Sequence, residues 1–197
     1  MLGVAGNLTG STEYRQLPSH YLEPHWYAAY VSANHEKRVA QQLRLRAIEH
    51  FLPLYDSVRR WKDRRINLQL PLFPGYVFVH LALRDRLRVL EAHGVARLVG
   101  FNGSPTPMLE QEIDALRMTL REGVRAKPHS YLKAGRQVRV KAGPLKGMQG
   151  ILVRRKNASR LVISLDLIMR SVAVEVEDLA LELCGDHEGR FDKRSND

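Results

Sequence analysis

The apolar residues of this chain change their period part-way along, and that change limits the folds open to it. Before Gly123, short charge-poor runs alternate with segments whose apolar residues recur every three or four positions. After Gln137 they recur every second position. A period near 3.6 belongs to an amphipathic helix, and a period of two to a strand with one buried face. The first part should therefore be a mixed layer of helices and strands, and the second all β.

In the first part, Trp26-Tyr27-Ala28-Ala29-Tyr30-Val31 is aromatic, uncharged and suited to a buried strand. Order is expected to begin near Trp26. Asn34 is placed as an N-cap ahead of Glu36, and Val39, Leu43 and Ala47 then mark one face of an amphipathic helix. Lys37, Arg38, Arg44 and Arg46 occupy its other faces. Phe51 to Val58 predicts a second strand, followed by a basic connection in which Arg59, Arg60, Lys62, Arg64 and Arg65 surround Trp61. Leu70 to Val79 is a proline-punctuated entry into an apolar strand. The spacing of Leu83, Leu87 and Leu90 predicts a short helix, and Val95 to Phe101 a strand closed by Asn102-Gly103-Ser104-Pro105. Thr106 and Pro107 fit the N-cap and first position of a helix bearing Leu109, Ile113, Leu116 and Leu120, which Gly123 can end.

In the second part Val138 and Val140 alternate with Arg139, Val162, Leu165 and Leu167 suggest a second strand, and Val172, Val174 and Val176 a third. Gly143, Pro144, Gly147 and Gly150 lie between them, as turns of a small antiparallel barrel would require. The expected organisation is a flexible tail at 1–22, an α/β domain at 23–123, a linker at 124–134, a β domain at 135–184 and a tail at 185–197.

Composition excludes several classes. With 44% hydrophobic and 26% charged residues the chain is outside the disordered regime. Its formal net charge of +10 favours a polyanionic neighbour such as nucleic acid or an anionic surface. The single cysteine, Cys184, cannot close an intrachain disulfide. No run approaches the roughly 18 apolar residues of a membrane helix, and no secretory signal is recognisable, so a cytoplasmic protein is expected. The eight histidines lack metal-site spacing. With no phosphate loop, nucleophile elbow or paired acids, the expectation is no catalysis, no metal and no cofactor.

Two segments carry a family resemblance. Pro71-Leu72-Phe73-Pro74-Gly75-Tyr76-Val77-Phe78-Val79 resembles the signature strand of the N-terminal domain of NusG-type transcription factors, with Trp26-Tyr27 opening that domain. Val138-Arg139-Val140, with Gly143-Pro144-Leu145, Gly147 and Gly150, resembles a KOW motif. The resemblance covers roughly residues 25 to 183. It implies an α+β fold: an N-terminal α/β sandwich with an antiparallel sheet, linked to a small SH3-like β-barrel. The compact signature strand and short hairpin are most similar to the specialised RfaH-like and UpxY-like members.

The resemblance further implies a non-enzymatic monomer that suppresses pausing and termination. An apolar depression would clasp the clamp helices of RNA polymerase, lined at Tyr30, Phe73, Tyr76 and Phe78, with Trp26 as a further candidate. Strand alternation sets Phe73, Val77 and Val79 on one face and Leu72, Tyr76 and Phe78 on the other, although Pro74 leaves the facing of Phe73 open. Non-template DNA would meet Lys37, Arg38, Arg44, Arg59, Arg60, Lys62, Arg64 and Arg65, with Trp61 available for stacking. In the KOW domain, Gly143, Pro144, Gly147 and Gly150 would build the turn. Ile168 and Met169, as an exposed pair, would anchor a ribosomal protein or termination factor. The competing reading is a KOW-bearing RNA-binding or ribosome-associated protein that has no need of polymerase.

Overall fold

The computed structural model describes residues 19–61, 64–132, 135–143, 145–155, 158–176 and 181–183. A one-turn helix, α1 (Ser19–Leu22), precedes β1 (His25–Val31) and α2 (Glu36–Leu45). Then come β2 (Glu49–Phe51), β3 (Leu54–Trp61), β4 (Arg64–Pro71) and β5 (Tyr76–Leu81). A 3₁₀ turn at Leu83–Asp85 leads into α3 (Arg86–Leu90), followed by β6 (Val95–Leu98), β7 (Gly100–Phe101), β8 (Ser104–Pro105) and α4 (Glu110–Arg121).

The first sheet is antiparallel in the order β2-β5-β1-β6. Both of its faces are covered along most of β1 and β5, which explains why these strands are largely apolar. Tyr27, Ala29, Val31, Val77 and Val79 share one buried cluster with Val39 and Leu43 of α2 and Val89 of α3. Trp26, Ala28 and Phe78 belong to another with Ile113 and Leu116 of α4. Fully burying one such large apolar side chain is worth about 1.5–3 kcal/mol, and a surface ion pair about 1 kcal/mol or less. The two apolar layers, not the many surface charges, therefore hold this sheet. Strands β3 and β4 form a separate two-stranded hairpin, and β7 and β8 a second one. The latter turns at Asn102-Gly103, both with positive φ, as a two-residue hairpin turn demands.

Several local expectations are corrected. The described chain is helical from Ser19, ahead of the expected start at Trp26, and Tyr21 packs against the core. Asn34 does not cap α2. His35 holds that position, and Asn34 takes a left-handed conformation (φ 62) in a turn closed by His35 N–H donating to Ser32 O. Ala47 lies beyond the helix and is exposed. The predicted strand from Phe51 to Val58 is broken at Leu52-Pro53 into β2 and β3, because proline cannot donate to a ladder. Of the expected face Leu83 is buried and Leu90 partly buried, but Leu87 exposes 60% of its surface and Val89 takes the buried position instead. Thr106 and Pro107 do not start α4; its N-cap is Leu109, which is itself exposed.

The remaining strands are β9 (Ala126–His129), β10 (Gln137–Val140), β11 (Gln149–Arg155), β12 (Ala158–Leu165), β13 (Arg170–Val176) and β14 (Leu181–Leu183). They make one antiparallel sheet in the order β14-β10-β11-β12-β13-β9. Val138, Val140, Leu161, Ile163, Leu165, Val172 and Val174 fill its interior. The stretch read as a linker thus contributes a strand. Ala126–His129 pairs along β13 through its main chain, so it needs no apolar pattern, and its Pro128 is tolerated at the sheet edge. Leu167 is not in a strand but in a 3₁₀ turn at Asp166–Ile168.

Candidate functional site

Strand pairing decides which aromatics meet. Tyr30 lies opposite Tyr76, Ala28 opposite Phe78, Trp26 opposite His80 and Phe51 opposite Phe78. All point to the α4 side of the sheet. Phe73 joins them from the turn before β5, packing edge-on to Phe78 with ring centroids 5.6 Å apart. It therefore shares the face of Phe78 and not that of Val77 and Val79, because the Pro74-Gly75 turn interrupts the alternation.

The five predicted aromatics are brought together but unequally exposed. Trp26, Phe73 and Phe78 expose 3%, 1% and 0% of their surfaces and form a floor. Tyr30 exposes 38%, Tyr76 is half-buried, and their rings meet at 5.5 Å. Arg97 of β6 places its guanidinium 4.9 Å above the Tyr30 ring. The accessible end of this face is thus a cation-edged tyrosine pair.

At the opposite end, α4 is fastened across the sheet by Arg117. Its guanidinium stands 4.4 Å from the Trp26 ring and 5.4 Å from Phe51, and it donates to Glu49 Oε1 at 3.1 Å. Glu49 Oε2 lies 2.9 Å from His80 Nδ1, and His80 stacks on Trp26 at 4.9 Å. Burial pushes the Glu49 carboxyl up, but the bonds to Arg117 and His80 outweigh it and hold the group below the ordinary carboxylate range. An open groove of about 490 Å³, lined by Glu49, Phe51, Arg117, Leu120 and Arg121, runs beside this cluster.

The basic residues divide into two groups. Lys37, Gln41 and Arg44 of α2 form one wall of a groove of about 480 Å³, with His50, Phe51 and Leu52 on the other. Arg38 is exposed but does not line it. On the hairpin, Arg60 pairs across from Arg65, and all of Arg60, Arg64 and Arg65 are exposed. Arg59 and Trp61 belong to β3, where the backbone alone is described, and Lys62 lies outside the described residues.

In the second sheet, Gly143 and Gly147 have φ of +81 and +87 between β10 and β11, with Gly147 N–H donating to Val140 O at 2.7 Å. A Cβ on Gly150 would meet Val162 O at 2.6 Å. These glycines build the fold, and Pro144 lies outside the described residues. Ile168 and Met169 are not an exposed pair. Ile168 is buried at 5%, and Met169, left-handed at φ 49, exposes 62%. The 3₁₀ turn tucks the first side chain inward as it presents the second.

A family model described as "Transcription termination factor nusG" matches residues 24–117. The "Transcription termination/antitermination protein NusG" of Vibrio parahaemolyticus is 30% identical over 167 residues, an alignment covering 77% of this chain and 91% of that relative. The chain belongs to the NusG family. Another NusG relative, from Escherichia coli strain K12, is 28% identical over 167 residues, covering 77% of this chain and 92% of its own. Among solved structures, "Domain interaction in Thermotoga maritima NusG" superposes with a TM-score of 0.50 at 18% identity, covering 82% of this chain and 98% of that one, and shares the fold.

Within this NusG fold, four residues of the aromatic face escaped the sequence reading: Phe51, His80, Arg97 and Arg117. Arg117 carries a helical signal, since it follows the apolar position Leu116. Arg97 and His80 become visible only once the register of β1 with its neighbours is known. Among the described residues no group of three or more His, Cys, Asp or Glu is placed to hold a metal, and no helix is long and apolar enough to cross a membrane. Cys184 lies outside the described residues.

Proposed function

We propose that this chain is a transcription elongation and antitermination factor that grips the clamp helices of RNA polymerase with the aromatic face of its first sheet. Its NusG relatives are named for transcription termination and antitermination, and elongation or termination control is the family's role. The observation that carries this proposal is the Tyr30–Tyr76 pair, left open on a face where Trp26, Phe73 and Phe78 are buried. Large aromatic rings with few rotatable bonds dominate interface energetics when they seat in an apolar partner. A coiled coil presents such a partner surface, and Trp26, Phe73 and Phe78 give the tyrosines a rigid floor.

Holding the polymerase clamp closed would disfavour paused states, because a ligand shifts a conformational equilibrium only by its differential affinity for the two states. The groove bearing Lys37 and Arg44 and the hairpin bearing Arg60, Arg64 and Arg65 would face the exposed non-template strand. The second sheet would engage a ribosomal protein or termination factor around Met169, the exposed side chain of its 3₁₀ turn.

The test is transcription on a pausing template together with binding to core polymerase, using Tyr30→Ala and Tyr76→Ala. Truncating an interface hot spot costs about 2 kcal/mol or more, so each variant should weaken binding by about 30-fold and restore pausing. Wild-type protein that binds polymerase lacking the clamp helices equally well would sink the assignment. RNA binding with no affinity for polymerase would support the ribosome-associated alternative.

A further inference from the structure

Among the described residues, Glu36 is the one acidic or basic side chain that is buried, exposing 5% of its surface. It sits at the first position of α2 on the inner face, alongside Val39 and Leu43, and belongs neither to the aromatic face nor to the basic grooves. A carboxyl group in that setting needs a specific partner, because burying it unpaired is costly. Its partner is a backbone amide: Gly75 N–H donates to Glu36 Oε1 at 2.8 Å.

That amide belongs to the turn on which the aromatic face depends. Tyr76 N–H donates to Phe73 O at 3.1 Å, with Pro74 second and Gly75, at φ +85, third. Proline followed by a positive-φ glycine is the pattern of a type II turn. In that turn the central peptide is flipped relative to type I, so the N–H of the third residue projects sideways and finds no acceptor within the turn. Glu36 supplies one from α2. On the other side of the residue, Gly75 O accepts from Val31 N–H at 2.8 Å, and a Cβ on Gly75 would approach the Tyr30 ring to 3.4 Å. The residue is thus held at its N–H by the helix and at its carbonyl by β1.

We propose that Glu36 is a positioning residue. By fixing the Pro74–Gly75 peptide, its side-chain oxygen sets Tyr76 against Tyr30 and turns Phe73 under Phe78, and this assignment rests on the polymerase-binding role proposed for that face. Glu36, buried beside the turn, would make no contact with polymerase itself. It also ties α2, with Lys37 and Arg44 on its outer side, to the aromatic edge, so the two surfaces keep a fixed spacing.

The experiment uses the full chain with Glu36→Gln, which keeps an acceptor, and Glu36→Ala, which removes it. Three readouts are taken: thermal midpoint, hydrogen exchange at the Gly75 amide by NMR, and the dissociation constant for core polymerase. Glu36→Gln should stay near wild type in all three. Glu36→Ala should expose the Gly75 amide to exchange and weaken polymerase binding by about tenfold, the scale of one buried amide left without a partner. Should Glu36→Ala fail to fold, Glu36→Asp takes its place, since it keeps the carboxyl group but withdraws it by one methylene from Gly75. Wild-type affinity in the variant whose Gly75 amide has become free to exchange overturns the proposal, and so does equal weakening in Glu36→Gln. If wild-type protein does not bind polymerase while the Gly75 amide still responds to the variants, the functional reading fails and the anchoring of the turn stands.

Discussion

Glu112 shows how much one residue's environment can depart from its appearance in a sequence. By position it is an ordinary acidic residue in the first turn of a helix, where the dipole favours negative charge. In the structure its carboxyl is pushed above the ordinary range first by burial, with Asp166 of the 3₁₀ turn after β12 adding repulsion, while a bond to the backbone of Leu109 works the other way. For an acid raised in the folded state, the native protein binds more protons than the unfolded chain between the two pKa values. Stability is therefore greatest below the unfolded value and falls as pH rises through the folded one. Glu112→Gln keeps an acceptor for Leu109 and abolishes the charge. Its thermal midpoint should exceed that of wild type at pH 7, and the gap should close as the pH drops below the ordinary carboxylate range. A variant less stable than wild type at pH 7 would show that the charge is favourable where it stands. None of this is legible in the sequence, because Asp166 is 54 positions away and arrives only through the fold.

Elements were easier to read than their ends. Strands β1 and β5 announced themselves as uncharged apolar runs, and both proved central and covered on two faces. Helix α4 announced itself by Ile113, Leu116 and Leu120. Thr106 and Pro107 have the chemistry of a cap, yet tertiary pairing claims that stretch and α4 starts later: Met108 N–H donates to Trp26 O at 2.8 Å and Thr106 N–H to Val99 O at 3.1 Å. Two backbone bonds to neighbouring segments outweigh a cap preference of about 1 kcal/mol. The end of α2 holds a similar surprise. Ile48 N–H donates to Leu43 O and Ala47 N–H to Arg44 O, both at 3.0 Å, which is the six-to-one and five-to-two bonding of a Schellman cap. The left-handed position of such a cap usually carries glycine; here it carries Ala47 at φ 53. Removing the Cβ there should relieve about 1 kcal/mol of backbone strain. Ala47→Gly is accordingly expected to raise the denaturation midpoint with an unchanged denaturant slope, against the usual rule that glycine weakens a helix. A lowered midpoint would place Ala47 in a relaxed conformation and remove the argument.

At the scale of the whole molecule the governing quantity is charge. The formal net charge is +10, and part of it is concentrated where the protein gains nothing structurally from it. Arg60 and Arg65 face each other across the β3–β4 hairpin, with Arg64 beside them, and like charges directly opposite are destabilising in a sheet. The chain's sequence made this basic cluster legible, but only the register shows that two of its cations are paired against each other on exposed strands. Such an arrangement is relieved when a polyanion lies along it and releases its counterions. Two outcomes should therefore move in opposite directions when Arg60 and Arg65 are both changed to Gln. The free protein should be unchanged or slightly more stable, by no more than about 1 kcal/mol. Affinity for single-stranded DNA should fall, and the slope of log K against log salt should become shallower by about 0.7 for each phosphate no longer neutralised, or about 1.4 for the pair. Titrations at several salt concentrations measure that slope directly. If affinity falls without any change of slope, the arginines act through the hairpin's shape; if neither changes, the DNA path runs elsewhere, and the groove lined by Lys37 and Arg44 is the next surface to test.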